Sequence, residues 1–211
     1  MGLPKGQIAL ANVSGTEGYA EAAPQLAGLF ESVSFAKLHA KVLHLMPPPP
    51  GCVLDIGSGT GRDAAQFAAM GYQVVAVEPV AELRAKAEAL HPSRQIEWRD
   101  DSLPDLAGLV ARKARFDLIM LTAVWMHLDP VQRRRAMPRI TSLLREAGVM
   151  ILSLRHGPVP PGRLMFDVAA DETIALAGQT GLRLILRLDN QPSQIAGKSD
   201  VTWTLLAFTK P

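Results

Sequence analysis

The sequence has little cysteine, few aromatic residues and almost no net charge. Its 211 residues include one cysteine, Cys52, so a disulfide within the chain is excluded and a cysteine-based zinc site is not expected. The formal net charge of +2 is too small to indicate a nucleic-acid or anionic-membrane partner. Charge alone therefore leaves the class of substrate open.

Long hydrophobic runs are missing as well. No apolar stretch approaches the roughly 20 residues of a membrane-spanning helix, and the first residues lack the apolar segment and cleavage site of a signal peptide. We therefore expect a cytoplasmic protein without a membrane or nucleic-acid partner, of unknown oligomeric state. Three consecutive arginines at positions 133–135 would point in different directions on a helix, so we interpret them as a solvated face.

What is present is enough hydrophobic material for one folded unit. Hydrophobic residues make up 48% of the chain, which excludes disorder as its main state, and the length fits one α/β domain. A run of prolines at positions 47–50 cannot continue a helix and separates an N-terminal helical segment from the first strand. We predict a single domain over residues 1–211, with a helical part at 1–46 and a core at 51–211.

After the prolines, strand and helix patterns alternate. Strands are predicted at residues 52–56, 72–77, 96–98, 116–121 and 149–154. Helices are predicted at 60–70, 80–90 and 168–179, and from Asp129 toward Arg145 with a kink near Pro138. Two last strands, 182–188 and 201–208, have no helix between them and should pair antiparallel. The pattern predicts an α/β fold, a mixed sheet with helices on both faces that binds ligands at the carboxyl ends of its strands.

The segment VLDIGSGTGRDA at residues 53–64 carries the sharpest functional signal. An apolar strand leads into Asp55, and Gly57, Gly59 and Gly61 follow at alternate positions. Glycines let a ligand lie against bare main chain, and the next helix offers free N–H groups. A dinucleotide fingerprint would need its third glycine at position 62, where Arg62 stands. Asp55 also suits a cationic ligand, such as an amino acid ammonium, better than a pyrophosphate.

Acidic residues also follow the second and third predicted strands. Glu78 lies 21 residues after Gly57, where a carboxylate can accept hydrogen bonds from both hydroxyls of an adenosine ribose. Asp100 and Asp101 are both candidates to accept from an adenine amino group. We prefer Asp101, because the backbone of the small Ser102 behind it could reach the ring.

Five motifs together resemble those of class I S-adenosylmethionine-dependent methyltransferases in order and spacing. They are VLDIGSGTGRDA, VVAVEP (74–79), WRDDSLP (98–104), FDLIMLTAVWMHL (116–128) and LLREAGVMILSL (143–154). The similarity covers about residues 50–155. It implies a Rossmann-like sheet of seven strands, the last antiparallel, beneath an N-terminal helical cover. It also implies S-adenosylmethionine as cofactor and S-adenosylhomocysteine as its product.

This resemblance also implies the cofactor site. By it, the residues around the glycine loop contact the methionine part, an acid after the second strand holds the ribose, and the segment after the third strand meets the adenine. The implied residues are Tyr19 from the cover, Asp55, Gly57, Ser58, Gly59, Thr60, Gly61, Arg62, Asp63, Glu78, Pro79, Asp101 and Ser102, with Leu121 and Thr122 on the methyl-donor side.

The sequence departs from the family pattern in three ways. The family often has Pro-Gly-Gly before the fifth strand, and Glu146-Ala147-Gly148 stands here, which should affect only a turn. The Asn/Asp/Ser-Pro-Pro-aromatic motif of amino-group DNA methyltransferases is absent, and so is a Pro-Cys nucleophile. Both absences argue against DNA base methylation.

The loops after the fourth and fifth strands supply the predicted substrate residues. His127 can accept a proton from an attacking hydroxyl or amine, and Trp125 can wall a flat substrate. Arg155, His156 and Arg163 could bind an acidic or strongly polar substrate. Solvated arginines, a turn-capping His156 and simple packing of Trp125 and His127 are the alternatives.

These patterns predict an enzyme that moves a methyl group from S-adenosylmethionine to a small molecule, at oxygen or nitrogen rather than carbon. No cluster of ligands demands a metal. One alternative is an NAD-dependent oxidoreductase, which the glycine spacing opposes. The other is a regulator that binds S-adenosylmethionine without catalysis, which the sequence does not exclude.

Overall fold

A computed structural model describes residues 13–195 and 197–211 of the chain. Residues 1–12, part of the predicted N-terminal segment, and Ala196 lie outside the described residues. The helices are α1 (Tyr19–Glu31), α2 (Phe35–His39), α3 (Arg62–Ala69), α4 (Ala81–Leu90), α5 (Ala107–Ala111), α6 (Pro130–Leu143) and α7 (Ala170–Gln179), with 3₁₀ turns at Leu43–Leu45 and Trp125–His127. The strands are β1 (Cys52–Ile56), β2 (Gln73–Val77), β3 (Ile96–Arg99), β4 (Phe116–Leu121), β5 (Leu144–His156), β6 (Arg183–Pro192) and β7 (Thr202–Thr209).

These strands form one mixed sheet in the order β3-β2-β1-β4-β5-β7-β6. Strands β1 to β5 pair in parallel, and β7 lies antiparallel between β5 and β6. The predicted α/β class, the seven-stranded Rossmann-like sheet and its antiparallel last strand are confirmed. The strand order reverses between β1 and β4, and ligands of such sheets bind at the carboxyl ends beside this reversal.

Alternate residues of the central strands enter two separate cores. Leu54 and Leu121 pack in a cluster that includes residues of α5, α6 and α7. Val53 and Met120 pack in a second cluster that includes residues of α2 and α3. Successive side chains of a strand point to opposite faces of a sheet, so helices cover both faces, as predicted.

Helix α6 begins where the sequence predicts and ends earlier. The Asp129 side chain accepts from the Gln132 backbone N–H at 2.7 Å, and the Gln132 side chain accepts from the Asp129 N–H at 2.8 Å, which makes a reciprocal capping box. The helix passes through Pro138 and ends at Leu143, before the predicted end, because the next residue already begins β5.

The prediction of a solvated face at positions 133–135 is wrong for Arg133, whose surface is only 2% exposed. Its Nε donates to Glu172 at 2.9 Å, and its Nη1 donates to the carbonyl of Leu128. A buried guanidinium needs a paired carboxylate, and α7 supplies it. The pair therefore joins α6 to α7, a contact between helices that no pattern within one helix indicates.

Two parts of the chain differ from the predicted elements. The helical pattern at residues 24–46 is divided into α1 and α2, and α1 begins earlier, at Tyr19, with Pro24 inside it. Helix α5 was not predicted, because its five residues are too few for a periodic pattern. Its first turn follows Leu106, whose φ of 46° lies in the left-handed region.

Among the described residues, no helix is long and apolar enough to cross a membrane. In the same parts of the chain, no three His, Cys, Asp or Glu side chains are grouped so that they could hold a metal ion.

Candidate active site

A cavity of about 740 Å³ lies at the carboxyl ends of the central strands. Its wall includes the glycine loop after β1, the residues after β2 and β4, and the end of β5. Helices α1 and α2 and the connection between β6 and β7 complete it. The cavity therefore occupies the place where the fold predicts a ligand.

Three glycines shape the loop after β1. Gly57, Gly59 and Gly61 have φ angles of 67°, 57° and 84°, in the left-handed region that residues with a Cβ rarely adopt. A Cβ on Gly61 would collide with the ring of Trp98, and one on Gly57 would come 2.5 Å from Val124. Gly57 and Gly59 line the cavity. Gly61 does not line it and is the N-cap residue of α3.

Two buried atoms of the glycine loop region have no partner among the described residues. They are Asp55 Oδ2 and Ser58 Oγ, and both residues line the cavity. Burial, reinforced by the negative charge of Asp63, raises the pKa of Asp55 well above its ordinary value. An unsatisfied buried polar atom costs about 1–3 kcal/mol. A ligand that carries hydrogen-bond donors, such as an ammonium group, would remove this cost.

Glu78 directly follows β2 and is 5% exposed. Its carboxylate oxygens accept from the backbone N–H groups of Gly59 at 2.8 Å and Val80 at 2.9 Å. Burial outweighs these hydrogen bonds and raises the pKa of Glu78 to about 7. Each carboxylate oxygen retains a further lone pair, so the group can still accept from two ligand hydroxyls. Glu78 and the adjacent Pro79 both line the cavity, which fits a ribose diol.

Other residues near the glycine loop fasten the N-terminal helices over the cavity. Thr60 Oγ1 donates to Glu31 of α1 at 2.6 Å. Asp63 accepts from Arg62 Nε and from His39 Nε2 of α2, each at 2.7 Å. Burial alone would raise the pKa of Asp63, but His39 and Arg62 outweigh it and lower that pKa to about 2. Thr60, Arg62, Asp63 and His39 line the cavity, whereas Glu31 does not. The sequence alone did not indicate that His39 would contact Asp63.

The structure corrects the predicted adenine contact. Asp101 Oδ1 accepts from the N–H of Ser102 at 2.9 Å, and its Oδ2 accepts from Gly108 and Leu109 at 3.0 and 3.2 Å. The carboxylate therefore caps α5 and does not line the cavity, and the side chain of Asp100 is 58% exposed. Of the residues predicted on the adenine side, only Ser102 lines the cavity. The next residue, Leu103, lines it as well.

The prediction for the methyl-donor side needs a correction, because side chains alternate between the two faces along β4. Leu121 is fully buried in the core beneath the sheet and does not line the cavity. Met120 and Thr122 line it instead. The period of two was readable in the sequence, since neighbours on a strand face opposite sides. A choice between the two faces needed the position of the cavity.

Tyr19 and His127 meet at the cavity wall. Tyr19 Oη lies 3.0 Å from His127 Nε2, and the two rings pack edge to face. His127 Nδ1 lies 2.9 Å from the carbonyl oxygen of Leu164. Because a carbonyl only accepts, Nδ1 carries the proton and donates, so Nε2 accepts from the Tyr19 hydroxyl. This arrangement fixes the tautomer of the neutral imidazole.

Two arginines stand beside this pair. The Arg163 guanidinium carbon lies 3.9 Å from the centroid of the Tyr19 ring, a cation–π contact, and its Nη1 donates to the carbonyl of Glu17 at 3.0 Å. Arg155 donates to the carbonyls of Gly157 and Pro158 at 3.1 and 2.8 Å. Both arginines line the cavity and keep further N–H donors for a ligand.

Two predicted substrate residues do not reach the cavity. Trp125 is fully buried in the core, where its Nε1 donates to Thr173 Oγ1 at 3.1 Å. It therefore cannot contact a substrate in the cavity. His156 neighbours Arg155 on β5 and therefore points to the opposite face, where its Nε2 lies 2.9 Å from Thr204 Oγ1. Trp125 packs within the core, as its alternative interpretation allowed, whereas His156 contacts a side chain of β7 instead of capping a turn.

The last strand, β7, also contributes to the cavity wall, a role that its sequence pattern does not predict. Trp203 and Leu205 of β7 line the cavity, and they pair with Arg155 and Ser153 of β5, which also line it. The alternation of apolar residues in β7 was visible in the sequence. Which alternate set faces a ligand depends on the register between β5 and β7.

Sheet order, antiparallel β7 and a glycine loop after β1 define the class I S-adenosylmethionine-dependent methyltransferase fold. A family model described as a methyltransferase domain matches residues 30–175. The match spans more than half of the chain, so the protein belongs to this methyltransferase family. The predicted recognition, the enzyme class and S-adenosylmethionine as cofactor are confirmed at the level of the family.

Individual relatives agree with this family. A ubiquinone biosynthesis O-methyltransferase of Xanthomonas campestris pv. campestris is 33% identical over 108 residues, which cover 50% of this chain and 43% of that protein. The chain thus matches less than half the length of this curated relative.

Solved structures resemble the fold more completely. A 1,6-didemethyltoxoflavin-N1-methyltransferase of Burkholderia thailandensis aligns over 91% of this chain and 85% of its own, with a TM-score of 0.70 and 21% identity. A TehB-like S-adenosylmethionine-dependent methyltransferase of Corynebacterium glutamicum aligns over 92% of this chain and 98% of its own, with a TM-score of 0.66 and 21% identity. At this identity the likeness shows the fold alone.

Proposed function

We propose that the protein transfers a methyl group from S-adenosylmethionine to an oxygen or nitrogen of a small molecule. The observation that carries the proposal is the pair of unpartnered buried atoms, Asp55 Oδ2 and Ser58 Oγ, in a cavity that also holds the buried carboxylate of Glu78. In this proposal Asp55 and Ser58 bind the amino acid end of the cofactor, and Glu78 binds the ribose diol. Ser102 lies on the adenine side, and Thr122 lies near the methyl group.

The cofactor, when bound, supplies a methyl group already activated on a sulfonium, so an acceptor lone pair forms the new bond as the carbon–sulfur electron pair stays with sulfur. The protein then needs to supply orientation and the exclusion of water. Helices α1 and α2 suit the second task, because their bonds to Thr60 and Asp63 hold them against the cavity.

The acidic and basic side chains that line the cavity suggest the kind of acceptor. Asp55, Asp63 and Glu78 stand at the glycine loop and after β2, whereas Arg155 and Arg163 stand with Tyr19 and His127. A guanidinium matches the geometry of carboxylate and phosphate oxygens. We therefore propose an acidic or strongly polar acceptor held by the two arginines, with its apolar part against Trp203.

Labelled methyl transfer tests the proposal. Protein incubated with methyl-labelled S-adenosylmethionine and pooled metabolite extracts should label a small molecule that can then be isolated. Arg155→Ala should raise the Michaelis constant for that acceptor and leave S-adenosylhomocysteine affinity unchanged. Arg134→Ala, on the exposed side of α6, is the matched control and should alter neither.

Two results would contradict the proposal. Micromolar binding of NADH without binding of S-adenosylhomocysteine would favour an oxidoreductase. Tight S-adenosylhomocysteine binding with no labelled product from any extract would favour a regulator. A single domain over residues 1–211, a cytoplasmic location and the lack of a nucleic-acid partner remain predictions within this proposal.

A further inference from the structure

His127 is not free to take a proton directly from an acceptor. Its Nδ1 donates to the carbonyl of Leu164 at 2.9 Å, and its Nε2 is occupied by the hydroxyl of Tyr19 at 3.0 Å. A base whose only lone pair is already hydrogen-bonded must either lose that bond or act through it. The Tyr19 oxygen still has lone pairs, and Tyr19 lines the cavity.

We propose that Tyr19 and His127 form a proton relay in which Tyr19 is the catalytic residue that meets the acceptor. This inference rests on the proposed function and names the residues that remove the acceptor's proton. It differs from the sequence-based expectation, in which Tyr19 contacts the cofactor and His127 meets the acceptor alone.

The relay balances in protons and charge. As the acceptor oxygen or nitrogen gains a methyl group, its proton passes to Tyr19 Oη, and the Tyr19 proton passes to His127 Nε2. The imidazole becomes an imidazolium while the sulfonium becomes a neutral thioether, so one positive charge is lost and one is gained. His127 later releases its proton to solvent, and the Tyr19–His127 hydrogen bond is restored.

The charges around the pair suit this task. Burial is the main cause that lowers the pKa of His127, and Arg163 and Arg155 lower it further, whereas the Leu164 carbonyl and Glu17 act in the opposite direction. The imidazole is therefore neutral at pH 7 and ready to accept. Burial raises the pKa of Tyr19, so its hydroxyl keeps its proton and donates to His127 in the resting state.

The first test is made on the protein without an acceptor. Nitrogen-15 NMR of histidine-labelled protein, with S-adenosylhomocysteine bound, should show His127 as the neutral Nδ1–H tautomer at pH 7, with a hydrogen-bonded Nε2. Comparison with His127→Gln assigns the resonance. In Tyr19→Phe the Nε2 resonance should move toward that of a free acceptor nitrogen. Tyr72→Phe is the control, because it removes the other tyrosine hydroxyl of the chain, which lies away from the cavity and donates to the carbonyl of Pro47. This variant should leave the His127 Nε2 resonance unchanged.

The second test measures turnover. With pooled metabolite extract as acceptor and saturating labelled S-adenosylmethionine, Tyr19→Phe and His127→Gln should each slow transfer by roughly 10²–10⁴-fold. The double variant should be no slower than the worse single variant, because the two residues act as one unit. S-adenosylhomocysteine affinity should stay within about twofold of wild type. His44→Gln, at an exposed position, is the control.

The pH profile separates catalysis from packing. Wild-type transfer should fall on acidification through a pKa below 6.5, where His127 becomes protonated, and His127→Gln should lack this limb. A Tyr19→Phe protein that loses S-adenosylhomocysteine affinity yet turns over normally at saturation would overturn the relay and restore Tyr19 to the cofactor. Wild-type protein that transfers no label would count against the proposed function itself, whereas transfer unchanged in both variants would overturn the relay alone.

Discussion

At the scale of the residue, the site depends on polar groups that burial makes unusual. Asp55 and Glu78 are carboxyl groups with raised pKa values, whereas the ion pairs of Asp63 hold its pKa at about 2. All three residues line one cavity, but their carboxyl groups differ in their hydrogen-bond partners. Asp63 is bonded to His39 and Arg62, and Asp55 keeps an unpaired oxygen for a ligand.

Glu78 should make cofactor binding depend on pH. A carboxylate must be ionised to accept two ribose hydroxyls, so S-adenosylhomocysteine should bind more tightly as the pH rises through the Glu78 pKa of about 7, and its affinity should level off above that pH. Glu78→Gln should weaken binding by roughly 1.5–3 kcal/mol at pH 8 and remove this dependence. Calorimetric titrations across this range measure both effects. Glu82→Gln, exposed on α4, is the control.

The raised pKa of Glu78 also affects the free energy of unfolding. Because the folded pKa of about 7 lies above the ordinary value of 4.5, the folded state retains a proton that the unfolded state releases first. The free energy of unfolding should therefore fall as the pH rises from 4.5 toward 7, and less so in Glu78→Gln. Equal pH dependence in both proteins would show that the Glu78 carboxyl is not perturbed.

Ala147 is strained by its backbone. Its φ of 59°, within the first residues of β5, lies in the left-handed region that favours glycine. Ala147→Gly should raise the free energy of unfolding by about 0.5–1 kcal/mol, because the conformation costs alanine more than the added freedom of the unfolded glycine chain. Urea unfolding measures this change. Ala85→Gly, in the exposed middle of α4, should lower stability by a similar amount.

At the scale of the element, the helices are positioned by their ends and by single polar contacts between them. Asp129 and Gln132 begin α6, and Arg133 with Glu172 joins it to α7. The 3₁₀ turn before α6 carries both Trp125, which enters the core, and His127, which faces the cavity. This turn therefore places one aromatic side chain in the core and the His127 ring at the cavity.

Removal of the α6 cap should weaken the whole domain. Asp129→Ala leaves the Gln132 N–H without its acceptor and should lower the free energy of unfolding by about 1–2 kcal/mol. Asp129→Asn keeps a side-chain oxygen at the same place and should cost much less. Chemical denaturation compares the two variants, and equal losses would mean that charge matters here more than the cap.

At the scale of the whole molecule, the cavity is a contact between distant parts of the chain. The N-terminal helices reach it through Thr60 and Asp63, the central strands form its floor, and β7 closes one side. A ligand in this position touches elements from both ends of the described chain. Its binding energy is then available to stabilise the fold as a unit.

Cofactor binding should accordingly stabilise the complete domain. S-adenosylhomocysteine at a hundredfold its dissociation constant should raise the free energy of unfolding by about 2.7 kcal/mol. Hydrogen exchange should slow in α1 and α2 as well as in β1, since the helices are bonded to the glycine loop. NADH at the same concentration should change neither quantity, and protection limited to the sheet would show that the helices do not cover the ligand.

Patterns along the chain were enough to predict the class of fold, the glycine loop and the acid after β2. These are local patterns: a strand, a turn and a helix start are dictated by neighbours along the chain, and Gly57, Gly59 and Gly61 are set by backbone conformation. The antiparallel end of the sheet was also readable, because nothing helical separates β6 from β7.

Which side chains reach the cavity depends on how the folded elements pack together, and local patterns do not predict it. Neighbouring residues of a strand face opposite sides, so Thr122 and Arg155 line the cavity while Leu121 and His156 do not. The pairing of Tyr19 with His127 joins residues 108 positions apart. No period or propensity encodes such a contact, because it depends on how α1 packs against the loop after β4, a segment far away in the sequence.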